Sequence, residues 1–405
     1  MKIKNISLDN FRCFERLNLD LQSRVNLFIG NNGSGKSAVL DALSIGLGVI
    51  ATHLPGISGI SFKKKDLRRV RNQDAPYTRV ALETSDGIRW DVTRKRDKSE
   101  FTASLPPPAK GKKALTTFLN ADVIDPHNNQ DSFELPFFAY YGVSRAILDI
   151  PLHRRGFQKK QSRFDSLAGS LDAVSRFRSA FIWFYNKENE EGRLQKDKKS
   201  FDLTLKELDV ARTALAKVFP DLTEPHIEVN PLRFMIKKNG HSFSLDQLSD
   251  GYKTMLGLIL DLSSRMAMAN PEHDNPLESE AIVMVDEIDL HLHPSWQQRV
   301  IGDLIRTFPN TQFILTTHSP YVVESVNNHL KREKIKGLPI ANRVIENIEP
   351  LSPHQAGAYL LKDDQLSDIM NHELGLIDDK LITHFNEINM LYDKMRDIEW
   401  EAKRD

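Results

Sequence analysis

The chain has 405 residues, 40% of them hydrophobic, which allows a substantial core and, at about 150 residues per domain, two or three structural units. Its 55 basic and 55 acidic side chains cancel, which excludes a global field attracting nucleic acid or an anionic membrane. The single cysteine, Cys13, excludes an intrachain disulfide framework. Because the sequence shows neither a signal-peptide core nor an apolar run of about 18 residues, we expect a cytoplasmic protein without a membrane partner.

The first part of the chain alternates strand and helix patterns. Residues 3–9 and 24–29 read as strands, and an amphipathic helix follows from Ser37. Residues 77–104 predict a β-meander, with a hairpin turn at Asp86 and Gly87. Strands alternating with helices predict an α/β core with a largely parallel sheet. We assign residues 1–150 to one lobe of that core.

Three further segments follow. Charged helical patterns replace strand patterns over residues 151–224, which we interpret as an α-helical insertion. Strand signals return in residues 225–345, with a helix at 251–266 and buried strands at Ala281–Val285 and 312–316; this is the second lobe. Residues 346–405 are predicted to be a helical C-terminal tail, because apolar residues in 378–405 recur at helical spacing.

A complete phosphate-binding loop joins the second strand to the first helix. The pattern G-x-x-x-x-G-K-[ST] is matched by Gly30, Asn31, Asn32, Gly33, Ser34, Gly35, Lys36 and Ser37. Its glycines let successive backbone N–H groups point at phosphate oxygens, and the helix adds its positive N-terminal end. We expect Lys36 to reach the β- and γ-phosphates of ATP and the Ser37 hydroxyl to bind Mg²⁺.

Two carboxylates end the apolar strand Ala281–Val285. The carboxyl edge of a parallel sheet delivers such side chains to the crevice where ligands bind. Asp286 is placed to hold Mg²⁺, directly or through water, and Glu287 to accept a proton from the attacking water or to orient it. The alternative is an acidic pair that only caps a helix.

A second anion-binding feature precedes the helix at 251–266. Ser249 and Gly251 lie at its N-terminus, where backbone N–H groups are free, although no lysine accompanies them. Taken alone, Ser249, Asp250 and Gly251 are also explained as an ordinary helix cap.

The complete set of motifs resembles the ABC-type ATPase superfamily, on the branch that includes RecF and the SMC heads. The resemblance implies an ABC-type P-loop NTPase head with a β-meander subdomain and a helical insertion. It implies that Ser249 and Gly251, matching the signature motif, bind the γ-phosphate of ATP held by the opposite protomer of a homodimer or higher oligomer. Asp250 and Tyr252 depart from the usual Leu-Ser-Gly-Gly-Gln pattern.

The same resemblance implies roles for three more residues. Asp289 falls where the D-loop crosses the dimer interface, and His318 where a histidine senses the γ-phosphate. The opening Asn10-Phe11-Arg12 resembles an N-terminal element that brings its arginine to the nucleotide, and Arg12 could equally be a surface cation.

The run from Asp286 to Gln297 is similar to stand-alone bacterial AAA-15/AAA-21-type ATPases. These include the OLD nucleases and the ATPase subunits of antiphage systems such as Septu (PtuA), retrons and PARIS. The resemblance implies an ATPase sensor that controls a partner effector nuclease. The alternative is a RecF-like DNA-repair ATPase, in which basic groups around residues 63–71 could contact DNA. A transporter subunit is disfavoured because no Q-loop is recognisable.

Overall fold

The computed structural model describes residues 1–146, 162–173, 177–336, 348–362 and 365–377. The strands of this part are β1 (Ile3–Phe11), β2 (Phe14–Asp20), β3 (Val25–Ile29), β4 (Arg69–Val70), β5 (Gln73–Asp74), β6 (Tyr77–Thr84), β7 (Arg89–Lys95), β8 (Phe137–Tyr141), β9 (Leu222–Val229), β10 (Leu232–Lys238), β11 (His241–Ser244), β12 (Ala281–Val285), β13 (Thr311–Thr317), β14 (Ala356–Lys362), β15 (Gln365–Asp368), β16 (Met370–Asn371) and β17 (Leu376–Ile377). The helices are α1 (Lys36–His53), α2 (Glu100–Ser104), α3 (Lys112–Leu119), α4 (Asp125–Asn129), α5 (Phe177–Lys198), α6 (Lys206–Val218), α7 (Asp250–Ala269), α8 (Pro294–Gln297), α9 (Val300–Thr307) and α10 (Pro320–Lys334).

A six-stranded sheet forms the centre of the fold, in the order β15-β14-β3-β13-β12-β8. All its pairs are parallel except β14 with β15. Strands β3, β12 and β13 are buried along their whole length, as apolar strands covered on both faces of a parallel sheet should be. The sheet confirms the predicted α/β class. Because the strands run in parallel, the carboxyl ends of β3, β8, β12 and β13 lie at one edge.

A second, antiparallel sheet has the order β2-β1-β6-β7. Helix α1 packs between this sheet and the central one. Within the predicted β-meander of residues 77–104, the structure shows one hairpin, β6–β7, with its turn at Asp86 and Gly87, whereas residues 100–104 form α2. The sheet is completed by the β1–β2 hairpin, because β1 pairs with β6. The two hairpins are separated in sequence because β3 and α1 lie between them. Helix α1 contacts both sheets and is buried on most sides, at Leu40, Leu43 and Leu47 among others.

Helices α5 and α6 lie in the segment interpreted as a helical insertion, as the sequence patterns predicted. Both pack against α7, and α6 also contacts α9. Helix α7 is buried along most of its length. Antiparallel strands β9, β10 and β11 connect α6 to α7. Within the described ranges, no helix combines the length and apolar character that a membrane span requires.

The prediction of a helical tail for residues 346–405 is wrong where the structure describes it. Strand β14 pairs in parallel with β3, from Ala356 opposite Val25 to Leu360 opposite Ile29. The apolar residues of β14 are therefore buried within the central sheet. The helical periodicity of the residues that follow β14 does not reveal this pairing. The predicted helix at 378–405, like residues 151–161 and 174–176 of the insertion, lies outside the described residues.

Candidate functional site

The loop between β3 and α1 is enclosed on two sides. At Gly30, with φ of 154°, a Cβ atom would lie 2.4 Å from the carbonyl oxygen of Leu361 in β14. At Gly35, with φ of 99°, it would lie 2.8 Å from Sγ of Cys13. Both positions combine a close approach with a backbone conformation that favours glycine. The loop is therefore curled tightly between β14 and the β1–β2 turn.

The loop encloses a lysine and an unused hydroxyl. Nζ of Lys36 donates to the carbonyl oxygens of Gly30 at 2.7 Å and Asn31 at 3.0 Å. Burial lowers the pKa of Lys36, and the nearby carboxylates of Asp286 and Glu287 oppose that shift. Oγ of Ser34 is buried and has no hydrogen-bond partner among the described residues. A buried donor without a partner and a buried ammonium suit an anionic ligand such as a phosphate group.

Ser37 and Asp286 meet although 249 residues separate them in sequence. Oγ of Ser37 donates to Oδ2 of Asp286 at 2.7 Å. The other carboxylate oxygen, Oδ1, accepts from Oγ1 of Thr316 at 2.6 Å. A hydroxyl and a carboxylate side by side form an all-oxygen donor set, which fits Mg²⁺. The structure thus brings together the two residues that the sequence predicts as ligands of Mg²⁺.

Glu287 follows Asp286 in a left-handed backbone conformation, with φ of 49°. Its N–H donates to Oγ1 of Thr316 at 2.7 Å. Its carbonyl oxygen accepts from Nη2 of Arg145, and Nη1 of the same arginine donates to the carbonyl oxygen of Asp286. The main chain of Glu287 is therefore held from both sides, while its side chain is only half-buried.

Arg145 is not among the site residues that the sequence motifs predict. It is only 2% exposed, and burial lowers its pKa to about 10 against the opposing effect of Asp286 and Asp289. The available signal was its position: Arg145 comes shortly after β8, whose carboxyl end lies at the same edge of the sheet as that of β12. A motif search does not find it because its partners are main-chain carbonyl groups.

Asp289 and His318 lie together beside this turn. Nε2 of His318 is 3.4 Å from Oδ2 of Asp289, and Oγ1 of Thr317 donates to the other oxygen of the same carboxylate at 2.5 Å. Asp289 is 4% exposed, whereas the His318 side chain is 51% exposed. The carboxylate is therefore fixed by the end of β13, and the imidazole remains open to a further partner.

Arg12 lies against the first half of α1. Its guanidinium contacts Asp41 at 2.5 Å and Asp66 at 2.8 Å. Burial lowers the pKa of Arg12, but the two carboxylates outweigh this effect and raise it overall. In this structure Arg12 thus binds carboxylates next to the phosphate loop.

Ser249 and Gly251 stand at the start of α7, where Ser249 is exposed and Gly251 is partly buried. Among the described residues, none of their hydrogen bonds reaches the phosphate loop. Gly251 lies against the turn after Asp289, because a Cβ there would be 2.8 Å from the carbonyl oxygen of His291. The side chain of Asp250 is 72% exposed, with Nζ of Lys253 at 3.3 Å from it. One chain alone therefore does not unite the two predicted half-sites.

A family model described as "AAA domain, putative AbiEii toxin, Type IV TA system" matches residues 25–324. The chain belongs to this family. The match extends from β3 into α10 and includes the phosphate loop, the acidic end of β12 and His318. Family membership together with the phosphate loop makes the chain an ATPase.

Two relatives agree with the motifs. The chain is 28% identical over 402 residues to the retron Vc95 probable ATPase of Vibrio cholerae serotype O1 biovar El Tor, covering 87% of this chain and 76% of the relative. It is 22% identical over 332 residues to the Septu protein PtuA of Bacillus thuringiensis, covering 80% and 73%. The predicted resemblance to ATPases of these groups is confirmed.

A solved structure of an SMC head bound to the C-terminal winged-helix domain of ScpA is also similar, with 14% sequence identity and a TM-score of 0.48. That alignment covers 92% of this chain and 99% of the SMC head.

Proposed function

We propose that the chain is a Mg²⁺- and ATP-dependent ATPase subunit that dimerises around ATP and regulates a partner effector nuclease in antiphage defence. The observation that carries the chemistry is the contact between Ser37 and Asp286, which unites the phosphate loop and the acidic strand end. The matches to a retron ATPase and to a Septu protein support the defence setting.

In the proposed ATP site, residues 30–37 bind the β- and γ-phosphates, and Lys36 neutralises their charge. Ser37 and Asp286 would hold Mg²⁺, which neutralises further phosphate charge when bound. Glu287 orients the attacking water or accepts its proton, an effect typically of about 10²- to 10⁴-fold in rate. His318 contacts the γ-phosphate from its exposed position and stays oriented by Asp289.

The proposed dimer follows from the position of α7. The exposed Ser249 and the partly buried Gly251 lie at the positive end of a 20-residue helix, and among the described residues none of their hydrogen bonds reaches the phosphate loop. ATP bound to a second protomer would supply a phosphate partner. Lys253, at 3.3 Å, offsets the charge that Asp250 would place near the phosphate. Because hydrolysis removes the contact, only the ATP-bound state favours the closed dimer.

The test compares ATP turnover and mass in solution for three variants. Lys36→Ala should lose ATP turnover. Glu287→Gln should bind ATP, turn it over at about 10²-fold or more below the parent rate, and accumulate as a dimer on light scattering. Glu324→Gln, an exposed glutamate on α10, is the matched control and should behave as the parent. Normal turnover by Lys36→Ala, or a Glu287→Gln chain that stays monomeric with ATP, would contradict the proposal.

The partner is tested by copurification. Tagged Glu287→Gln, expressed from its native gene neighbourhood with ATP, should retain a stoichiometric nuclease identified by mass spectrometry. Retention of DNA without a protein partner would favour the alternative, a RecF-like DNA-repair ATPase.

One surface favours that alternative. A group of exposed basic side chains surrounds Asp66, which forms an ion pair with Arg12. The group consists of Lys63, Lys64, Lys65, Arg69 and Arg71. ATP-dependent binding to gapped duplex, weakening steeply with salt, would support the repair function.

A further inference from the structure

A cavity of about 740 Å³ lies between α5, α6, β9, β10 and the first half of α7. None of its lining residues belongs to the phosphate loop or to the acidic end of β12. Its apolar wall comprises Leu215, Ala216, Phe219, Leu222, Ile236 and Leu256. Volumes of roughly 300–1,000 Å³ with a mostly apolar lining and a few converging polar groups are typical of small-molecule sites.

Most charges at the cavity already have partners. Arg212 donates to both carboxylate oxygens of Glu191, at 3.0 and 2.9 Å. Glu224 forms an ion pair with Lys237 at 2.5 Å. Glu188 differs, because among the described residues it forms no ion pair within 4.0 Å. The cavity therefore presents one carboxyl group that lacks a cation.

The unpaired carboxyl group is fixed in place. Oε2 of Glu188 accepts from the N–H of Ile227 at 3.0 Å, which leaves Oε1 to accept from a ligand. Burial raises the pKa of Glu188 to about 7, so its charged form is poorly compensated by the protein. A ligand cation next to this carboxyl group would supply the missing opposite charge, and an apolar ligand body would pack against the apolar wall of the cavity.

The cavity wall continues into the start of α7. The Phe219 ring lies 6.1 Å from Tyr252 and 5.2 Å from Trp296, measured between ring centroids. Tyr252 follows Gly251 directly, and its hydroxyl donates to Asp221 at 2.9 Å. Leu256, four residues further along α7, lies on the same face of the helix as Tyr252 and lines the cavity. An occupant would thus contact the helix that carries Ser249 and Gly251.

We infer that this cavity binds a small molecule with an apolar body and a protonated amine, and that its occupancy adjusts the N-terminus of α7. The second half of the inference rests on the proposed role of Ser249 and Gly251 in the ATP dimer. The first half does not, because binding can be measured without nucleotide.

The test uses three probes that share one apolar body: 4-phenylbutylamine, 4-phenylbutanol and 4-phenylbutyrate. Calorimetry on the full chain without ATP should show binding of the amine, weaker binding of the alcohol and none of the acid. Glu188→Gln should weaken amine binding by about tenfold or more and leave the alcohol unchanged within about twofold. Glu190→Gln is the matched control, because that exposed residue lies on the same helix outside the cavity.

A second variant tests whether the probes bind in this cavity by blocking it with a larger side chain. Ala216→Trp places a large ring in the cavity from an exposed position on α6, so the amine and the alcohol should both lose binding while the fold is kept. Equal affinities for the three probes, amine binding insensitive to Glu188→Gln, or no amine binding at millimolar concentration would each overturn the site.

The link to α7 has a separate readout. The amine should change the KM for ATP or the ATP-dependent dimer fraction of the parent and of Glu190→Gln, but not of Ala216→Trp. Binding without any such change would overturn the link and leave the site standing. A chain that binds the amine but shows no ATP turnover at all would instead contradict the proposed ATPase cycle.

Discussion

The guanidinium of Arg145 donates hydrogen bonds to the main-chain carbonyl groups of Asp286 and Glu287, which lie 141 and 142 residues further along the chain. Glu287 has φ of 49°, a region that costs a non-glycine residue about 1 kcal/mol or more unless its surroundings hold it there. Arg145, in the turn that follows β8, and Thr316 of β13 supply that support. We infer that Arg145 is a positioning residue for the carboxylate of Glu287.

This inference predicts the behaviour of Arg145→Lys. A lysine keeps the charge but cannot bind two carbonyl groups with a planar fork. We expect kcat to fall by about tenfold or more while the KM for ATP changes by less than about threefold, since the guanidinium binds main-chain carbonyl groups and not the phosphate loop. Steady-state kinetics and a thermal melt separate this effect from unfolding. A proportional loss of folded protein and activity would indicate a structural role only.

We predict that the substitution Thr316→Val lowers the affinity of the site for Mg²⁺. The substitution is nearly isosteric, but it removes the donor to Oδ1 of Asp286 and the acceptor for the N–H of Glu287. We expect the Mg²⁺ concentration for half-maximal turnover to rise several-fold and stability to fall by about 1–3 kcal/mol. Thr311→Val, at the other end of β13, is the control, because its buried Oγ1 has no hydrogen-bond partner among the described residues. Equal effects of both variants would rule out a specific role for Thr316.

We predict that the substitution Gly30→Ala disrupts the phosphate loop. The added methyl group would meet the carbonyl oxygen of Leu361 at 2.4 Å, and this atom belongs to the backbone of a paired strand and cannot move aside cheaply. We expect weaker ATP binding and a lower melting temperature, both measured by thermal shift with and without ATP. Gly192→Ala, in the middle of α5 with open space around it, should instead stabilise the chain by up to about 1 kcal/mol.

The raised pKa of Glu188 predicts a pH-dependent stability. Burial raises that pKa from its ordinary 4.5 to about 7, so the folded state holds the proton more tightly than the unfolded state. The stabilising contribution is complete below pH 4.5 and is lost as the pH rises through 7. Arg212 and Glu191, the charged groups facing Glu188, act on it in opposite directions.

Glu188→Gln should therefore be more stable than the parent at pH 8, by about 2 kcal/mol after allowance for partial solvent access, and the difference should shrink towards pH 5. Urea unfolding at the two pH values measures it, with Glu190→Gln as the control. A difference that is the same at both pH values would show that Glu188 is not the group responsible.

Contiguous motifs made much of this site predictable. The phosphate loop from Gly30 to Ser37 and the strand ending in Asp286 combine local sequence with simple strand and helix patterns, so their meeting at one sheet edge follows from parallel topology. Arg145 could not be predicted in this way, since its partners are carbonyl groups that every residue carries. Strand β14 was missed because its identity depends on a neighbour, Val25–Ile29, more than 300 residues away, and helical periodicity after it biased the interpretation.

The place of β14 in the sheet also affects the order in which the ATP site can form. During synthesis β3 and its loop emerge first, but both strands that flank β3 come late, at Thr311–Thr317 and Ala356–Lys362. Pairings that span so much of the chain form slowly, because a long loop must close before they contribute. A ribosome-bound chain shorter than about 360 residues therefore carries the complete phosphate-loop sequence but lacks the strand, β14, that packs against the loop. Nucleotide binding should therefore begin only when nearly the whole described chain has been made.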